Sequence, residues 1–451
     1  MNRELELATR IAQLVAQQGG QAFFVGGYVR DFLLGLNTTD MDIEVHGISP
    51  SGLERILDTL GQRIEIGKSF GVYNLKGFAL DIAMPRREKA WGMGHRDFSV
   101  EVDPFIGRKQ AAMRRDFTVN ALMQDILTGQ IIDHFGGLED LSAGVIRHVN
   151  DDSFPEDPLR VLRAAQFAAR FGFTVADETI ALCRKMQLGF LPGERIAGEL
   201  RKALTKSAHP SVFFEILRKM EQLDIWFPEV KALIGVPQNP IYHAEGDVWN
   251  HTMLVLDQAA GLRENAENPY WFMLAALTHD FGKAICTEAI SGVLHSYDHE
   301  QKGIPLTEAF LRRFTRETRL IDYVKNMVLL HMKPNTLAHA NSAVKATNRL
   351  FDQSIDPEGL ICLALADDRG RITSRSAIST EPFLRDRLVI YREYMSRPYV
   401  AGRDLMEAGL QPGKDFSDIL EYAHKLRLAG VEKKSALRQC LSYAQTLPGK
   451  R

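Results

Sequence analysis

The sequence predicts an α+β protein, mixed at its N-terminus and helical from there on. Three observations predict it. Residues up to about 140 alternate strand and helix signals, and from Pro158 to about Phe227 apolar side chains recur at helical spacing. The loop-like stretch GVPQNPIYHAEGDVWN then marks a boundary near 235–248, before a second helical region that runs to about residue 395. Boundaries at 1–140, 141–235, 236–395 and 396–451 follow. A chain of 451 residues is too long for one ordinary core, so about two to four domains are expected.

The elements follow in order. Gln21–Val25 reads as a strand, Tyr28–Leu34 as a short helix and Met41–Val45 as a second strand. Ser51–Leu60 is helical by the spacing of Leu53, Ile56, Leu57 and Leu60. Val72–Lys76 and Phe78–Ala83 read as a hairpin closed at Gly77. LRVLRAAQFAARF begins the helical region, with Glu156 and Asp157 at its N-terminal turn, where carboxylates favour the helix dipole. Arg397-Pro398-Tyr399 opens a last segment that ends in a basic helix.

The composition is that of a soluble globular protein, with 45% hydrophobic and 25% charged residues. No run approaches the roughly 18 apolar residues of a membrane helix, so no membrane partner is expected. The N-terminus, MNRELELATRIAQLVAQQ, reads as an amphipathic helix rather than a signal peptide. Four scattered cysteines (Cys183, Cys286, Cys362, Cys440) lack ligand spacing and read as reduced thiols of a cytoplasmic protein. The net charge of −2 argues against a pure nucleic-acid-binding module, so a polyanion must be held by local basic surface. Protein partners are left open by the sequence.

The stretch VGGYVRDFLLGLNTTDMDIEV carries the first chemistry. Asp40 and Asp42 are two apart, so on a strand they aim two carboxylates at one point. Such a pair suits Mg²⁺, which takes oxygen ligands and brings phosphates with it. Gly26 and Gly27 let the backbone approach a phosphate, and Arg30 is placed to neutralise it. Asp81, in FALDIAMPRR, is a candidate third carboxylate, as metal ligand or general base. Arg86 and Arg87 lead into KAWGMGHRDF, which reads as a loop near substrate.

Further on, Arg115 offers a guanidinium fork to a triphosphate. Asp116 and Asn120 lie four apart, which on a helix gives one face and candidates for ribose hydroxyls. Asp157 and Arg160 are three apart, an acceptor beside a donor fork. Such a pair can read an amino group beside a ring acceptor, the pattern that cytosine and adenine share and that uracil and guanine lack. Gly193-Glu194-Arg195-Ile196 reads as a brace for the segment that carries this pair.

VGGYVRD with DMD, RRDFTVNAL, EDPLRVLR and GERI, in this order and spacing, resemble the motif series of the class II tRNA nucleotidyltransferases, the bacterial CCA-adding enzymes and their poly(A)-polymerase relatives. The resemblance covers roughly residues 20–205. It implies a polymerase-beta-like nucleotidyltransferase head followed by an all-α neck. It also implies Mg²⁺ at Asp40 and Asp42, nucleotide contacts from Gly27, Arg30 and Arg115, and Arg163 near the triphosphate. Asp157 and Arg160 would act as a protein template for CTP and ATP, and the tRNA 3′ end would be the acceptor. The chain departs from many members at Gln166, where an arginine is usual one turn after Arg163. CCA addition, CC addition, A addition and poly(A) synthesis share these motifs.

Residues 243–371 carry a second set. His251 begins HTMLVL, His279-Asp280 follow FMLAALT, His299 and His331 come later, and Asp367 sits in LALADDRGR. Imidazoles with carboxylates suit a divalent transition metal. HT…HDFGK…DDRGR resembles the HD-domain metal-dependent phosphohydrolases. The resemblance implies His251, His279, Asp280 and Asp367 as metal ligands, with His299 and His331 as the extra ligands of two-metal members. The implied activity is phosphomonoester or cyclic phosphodiester hydrolysis; an HD hydrolase with a merely RNA-binding head is the rival reading. The C-terminal segment resembles the helical tail of the same enzymes, and Lys425, Arg427, Lys433, Lys434 and Arg438 are candidates for tRNA phosphate contacts.

Overall fold

The computed structural model describes residues 3–36, 41–65, 71–90, 98–373 and 379–447. The chain divides into two compact units: residues 1–203 with 212–226, and residues 204–211 with 227–451. Asp40 and most of the KAWGMGHRDF loop lie outside the described residues.

The first unit is built on a seven-stranded mixed sheet. Its strands are β1 (Gln21–Val25), β2 (Met41–His46), β3 (Arg63–Glu65), β4 (Val72–Leu75), β5 (Leu80–Ala83) and, after the outlying hairpin β6 (Arg86–Ala90) and β7 (Phe98–Val102), β8 (Met123–Asp125) and β9 (Ile131–Ile132). Their spatial order is β3-β4-β5-β2-β1-β8-β9. All neighbours pair antiparallel except β2 and β5, which run parallel with Asp42 opposite Asp81. The strand and hairpin predictions hold to within a few residues.

Helix α1 (Arg3–Gln17) packs against β1, with Leu7, Ala8, Ile11, Ala12 and Val15 buried at helical spacing. Helix α2 (Gly27–Leu33) starts directly after β1. Helix α3 (Pro50–Leu60) is begun by Ser49, whose hydroxyl accepts the Gly52 N–H, with Pro50 at the first position. Short helices α4 (Arg108–Met113) and α5 (Gly137–Ala143) follow.

The neck is less uniformly helical than its apolar spacing suggests. Helix α6 (Leu159–Phe171) ends at Gly172 in the left-handed conformation. The chain then forms β11 (Thr174–Val175), which pairs parallel with β10 (Val145–Ile146) before α7 (Asp177–Arg184), α8 (Gly193–Lys206) and α9 (Ser211–Lys219). Two residues of strand are too short to produce a readable period.

From residue 227 the second unit continues with α10 (Pro228–Lys231), and its described residues are helical apart from loops and one hairpin. Helix α11 (Val248–Ala260) is capped by Asp247, whose carboxylate accepts the Asn250 N–H. Helix α12 (Pro269–Thr278) is apolar on nearly every side and buried along most of its length, which marks it as the central helix. After α13 (Lys283–Cys286) and the hairpin β12 (Glu288–Ile290) and β13 (Val293–His295) come α14 (His299–Arg312), α15 (Thr318–Leu330), α16 (Lys333–His339), α17 (Val344–Gln353) and α18 (Pro357–Arg369). Helices α11, α15 and α18 pack around α12. Helix α19 (Glu381–Ser396) leads to a tail of α20 (Gly402–Glu407), α21 (Phe416–Leu428) and α22 (Lys433–Ala444), which shares a small core of Val400, Leu405, Ile419, Ala423, Ala436, Cys440 and Ala444. All four cysteines are free and buried. Among the described residues, no helix is long and apolar enough to cross a membrane.

Candidate functional sites

The first site lies where β1 turns into α2. Gly26 has φ 68° and ψ −134°, a conformation open essentially to glycine. A Cβ there would sit 3.0 Å from Arg115 Nη1 and 3.7 Å from Asp42 Oδ2. The turn therefore touches a guanidinium and a metal-binding candidate at once. Asp42, on β2, projects to the same face as Glu44 and His46. Its neighbour across the parallel pair is Asp81, whose Oδ1 accepts from Asn74 Nδ2 at 3.0 Å. Asp42 and Asp81 are exposed, so a hydrated cation has access to both. Their oxygen-only donors suit Mg²⁺.

Glu44 was not among the candidate residues. Its Oε2 lies 3.2 Å from Arg115 Nη2, and its Oε1 lies 2.9 Å from His46 Nε2. Burial pushes the Glu44 carboxyl up, but the hydrogen bond from His46 and the charge of Arg115 hold it below its ordinary value. The ionised carboxylate fixes Arg115 beside Gly26. Alternation along β2 was the available signal, since Glu44 is two residues past Asp42.

Arg30 and Asn120 occupy a different position from the one expected. Arg30 is 3% exposed and its guanidinium is committed internally. Nε donates to Asp31 Oδ1 at 2.7 Å and Nη1 to Asn120 Oδ1 at 2.5 Å, and the group lies over the Phe171 ring. It underpins the Gly27 turn rather than facing solvent as a phosphate ligand would. Asp116 and Asn120 do not share an α-helix face either. Asp116 precedes a 3₁₀ turn at Thr118–Asn120, and its Oδ1 accepts from Asn120 Nδ2 at 2.9 Å. Its Oδ2 receives Arg163 Nε at 2.7 Å. Burial raises the Asp116 carboxyl, but Arg163 and Asn120 hold it below the usual carboxylate range. These side chains form a continuous polar chain from Arg163 on α6 through Asp116 and Asn120 to Arg30 on α2.

Asp157 and Arg160 are joined through the backbone, the Arg160 N–H donating to the Asp157 carbonyl at 3.0 Å, while their side chains reach other segments. Asp157 stands before α6 in extended conformation, where its Oδ1 accepts the Leu159 N–H at 3.1 Å. Its Oδ2 takes Arg195 Nη2 at 3.0 Å. Arg160 donates to the carbonyls of Ser153 at 2.6 Å and Arg114 at 2.7 Å. The brace read at Gly193–Ile196 thus acts through Arg195. Gln166 is buried, and its Nε2 has no hydrogen-bond partner among the described residues.

In the tail, Arg427 donates to the carbonyl of Arg397 at 2.8 Å and to that of Tyr394 at 3.0 Å, a structural task. Lys425 pairs with Glu421 and Lys433 with Asp404. The tRNA-phosphate expectation is weakest for Arg427.

The second unit holds the second site. His251 comes from α11, His279 and Asp280 from the end of α12, His299 from the start of α14, His331 from the end of α15 and Asp367 from α18. All six are buried. Three helix ends and two helix faces thus converge beside the central helix. Their approach needs Gly282: a Cβ there would overlap the carbonyl of His299.

The imidazoles share one orientation. His279, His299 and His331 each direct Nδ1 to a backbone carbonyl, of Ala276, Ser296 and Val328 respectively. Their Nε2 atoms are left facing inward, as metal-bound histidines require. Asp280 divides its oxygens. Oδ2 lies 3.2 Å from His279 Nε2 and 3.7 Å from His251 Nε2, while Oδ1 lies 3.3 Å from His299 Nε2 and 3.8 Å from His331 Nε2. His251 Nε2 also lies 3.0 Å from Asp367 Oδ1. Two groups result, His251–His279–Asp367 and Asp280–His299–His331, each with ligand atoms close enough to hold one ion. His279 Nε2 and both Asp280 oxygens are buried, and among the described residues they meet their neighbours at ion-pair distance rather than in well-formed hydrogen bonds. Buried imidazole nitrogens and carboxylate oxygens aimed at one point fit a cation.

The charges agree. Burial opposes ionisation of Asp280 and Asp367, but His279 and Lys283 beside the first, and Arg371 and His251 beside the second, hold both well below the carboxylate range. Burial pushes His331 down to about 3, so it is neutral and able to ligate at pH 7. Lys283 and Arg371 were not among the candidate residues. Lys283 Nζ lies 2.7 Å from Asp280 Oδ2, and Arg371 pairs with Asp367.

The chain matches family models described as the poly A polymerase head domain over residues 22–147, the probable RNA and SrmB-binding site of polymerase A over 172–234, and the HD domain over 248–371. It is 37% identical over 403 residues to the "Multifunctional CCA protein" of Pasteurella multocida (strain Pm70), covering 86% of this chain and 92% of that protein. The chain belongs to the multifunctional CCA protein family. The protein of the same description from Actinobacillus pleuropneumoniae serotype 5b (strain L20) is 37% identical over 364 residues, 78% of this chain and 86% of that one. The fold resembles a CCA-adding enzyme solved in complex with ATP, with TM-score 0.70, 20% identity and coverage of 100% of this chain and 96% of that one. It also resembles the Thermotoga maritima CCA-adding enzyme complexed with tRNA, with TM-score 0.67, 20% identity and coverage of 98% and 96%. Members of this family thus join a nucleotidyltransferase head to an HD domain, both metal-dependent modules.

Proposed function

We propose that the protein adds C and A to the tRNA 3′ end from CTP and ATP without a nucleic-acid template. The convergence of Gly26, Arg115 and Asp42 on one turn carries this reading. The family relatives are described as CCA proteins, and structures of the same fold are described in complex with ATP, CTP and tRNA. Asp40 and Asp42 would hold Mg²⁺, which stabilises charge on the attacking and departing oxygens when bound. Arg115, held by Glu44, binds the triphosphate beside the Gly26–Gly27 turn. Asp116 and Asn120 position Arg163 and Arg30, and with the ribose they form the floor of the site. Asp157 and Arg160 read the base. The tRNA 3′-hydroxyl attacks the α-phosphate and pyrophosphate leaves from the opposite side. Residues 1–140 would transfer the nucleotide, 141–235 select it and 396–451 contact tRNA, in a cytoplasmic protein.

The test is extension of a tRNA that lacks its terminal CCA, run on a gel with CTP alone, ATP alone and both. Two additions with CTP and three with both support the reading. One A on a CC-ended tRNA and nothing on the shorter one would make it an A-adding enzyme, two additions alone a CC-adding enzyme, and a long A tail a poly(A) polymerase.

The second unit favours an additional activity, metal-dependent phosphohydrolysis at residues 236–395. The inward-facing Nε2 atoms of His279, His299 and His331 around the Asp280 carboxylate support it. A divalent transition metal at His251, His279, Asp280 and Asp367, with a second at His299 and His331 sharing Asp280, would activate water and polarise a phosphate. Lys283 and Arg371 add positive charge for an anionic substrate. Hydrolysis of a 2′,3′-cyclic phosphate should be lost on chelation and in Asp280→Ala, while Asp280→Ala still extends tRNA. A domain that binds no metal and hydrolyses no phosphate ester is a scaffold.

A further inference from the structure

We propose that Glu245 is a positioning residue of the HD metal cluster, a clasp that joins its first ligand to the end of the helix bearing its last. The inference rests on the metal-binding reading of that cluster. Glu245 lies in the loop before α11, and its side chain is 2% exposed. One oxygen, Oε1, accepts from His251 Nδ1 at 3.1 Å and from His243 Nδ1 at 2.7 Å. The other, Oε2, accepts the backbone N–H of Ile372 at 2.9 Å. The link is returned by the Ala244 N–H, which donates to the Ile372 carbonyl at 2.8 Å. Ile372 directly follows Arg371, and Arg371 pairs with Asp367.

His251 differs here from the other inward-facing histidines. Theirs are oriented by backbone carbonyls three residues earlier in the chain; His251 is oriented by a side-chain carboxylate from the loop before its helix. A carboxylate on Nδ1 fixes the tautomer with its proton on that nitrogen, leaves the Nε2 lone pair for the ion, and makes the imidazole a stronger donor. His243 packs edge-on to His251, ring centroids 5.0 Å apart, and shares the same oxygen. His243, Glu245 and His251 also lie close enough to hold an ion of their own. That oxygen is already within hydrogen-bond distance of both Nδ1 atoms, so the geometry points to orientation instead.

The test uses the full chain and Co²⁺, whose visible spectrum reports ligand geometry. Glu245→Gln keeps the shape but cannot accept at both ends as the carboxylate does. It should lower Co²⁺ affinity by about 10–100-fold and alter the visible spectrum, while tRNA extension by the head is unchanged. Glu245→Asp keeps the charge with a shorter reach and should fall between. Ile372→Pro removes the N–H at the far end of the clasp without altering any side chain of the cluster. It should weaken Co²⁺ binding in the same direction. Wild-type affinity and spectrum in Glu245→Gln or in Ile372→Pro would overturn the clasp. Wild-type protein that takes up no Co²⁺, or no less when His279 is replaced by Ala, would instead overturn the metal reading beneath it.

Discussion

Arg195 holds Asp157: its Nη2 lies 3.0 Å from Asp157 Oδ2, across the gap from α8 to the residue before α6. The carboxylate assigned to base reading is thereby fixed from a second helix. Arg195→Ala should leave Asp157 held only by the Leu159 N–H and let UTP or GTP in, with a smaller loss of CTP and ATP use. Arg160→Ala should relax selectivity further, because it removes the donor itself, and a base contact of this kind is worth about 1–3 kcal/mol. Competition between the four nucleotides on one gel measures both. Unchanged selectivity in Arg160→Ala would remove the base-reading assignment.

Asp42 and Asp81 sit opposite each other on parallel strands. Asp42→Ala should lower nucleotide addition by roughly a thousandfold or more, since several kcal/mol of charge stabilisation goes with it. Asp81→Ala should cost about a hundredfold, as expected for a general base. Neither should change tRNA binding, which gel-shift measurement reads separately from catalysis. An Asp42→Ala protein that extends tRNA normally would place the chemistry elsewhere.

The Arg163–Asp116 pair makes head stability depend on acid. Asp116 is held below its ordinary value in the folded protein, so its contribution is present above the unfolded carboxylate pKa, about 4, and is lost as pH falls through the folded value. Asp116→Asn leaves the half-buried Arg163 without its anion and should destabilise the head by about 2–4 kcal/mol at pH 7. The gap between the thermal transitions of the two proteins should be constant from pH 5 to 7 and narrow below about pH 4. A gap that widens in acid would contradict the pair's role.

Gly282 meets the His299 carbonyl so closely that no side chain fits. Gly282→Ala must push the start of α14 away from Asp280. It should weaken metal binding at the His299–His331 group more than at the His251–Asp367 group, and cost about 1–3 kcal/mol as overpacking. Co²⁺ stoichiometry falling toward one ion per chain is the expected readout. Two ions bound with unchanged affinity would show that the backbone gives way there.

The sequence by itself determined the order of the elements, the strand that carries Asp42, the glycine turn and the six candidate residues that converge in the second unit. These are local matters of spacing, period and residue chemistry, and they survive without knowledge of partners. Tertiary structure decided which charges remain available. Arg30 reads as a phosphate ligand in sequence, yet Asn120, 90 positions away, takes its guanidinium into the interior. Asp157 and Arg160 read as a pair, yet each is bonded to a segment brought in from elsewhere. Glu44, Lys283, Arg371 and Glu245 were silent in the linear chain, because a charged residue matters to a site only through what packing places next to it. Hydrogen bonds and ion pairs act over about 3–4 Å, and only the folded chain says which residues come that close.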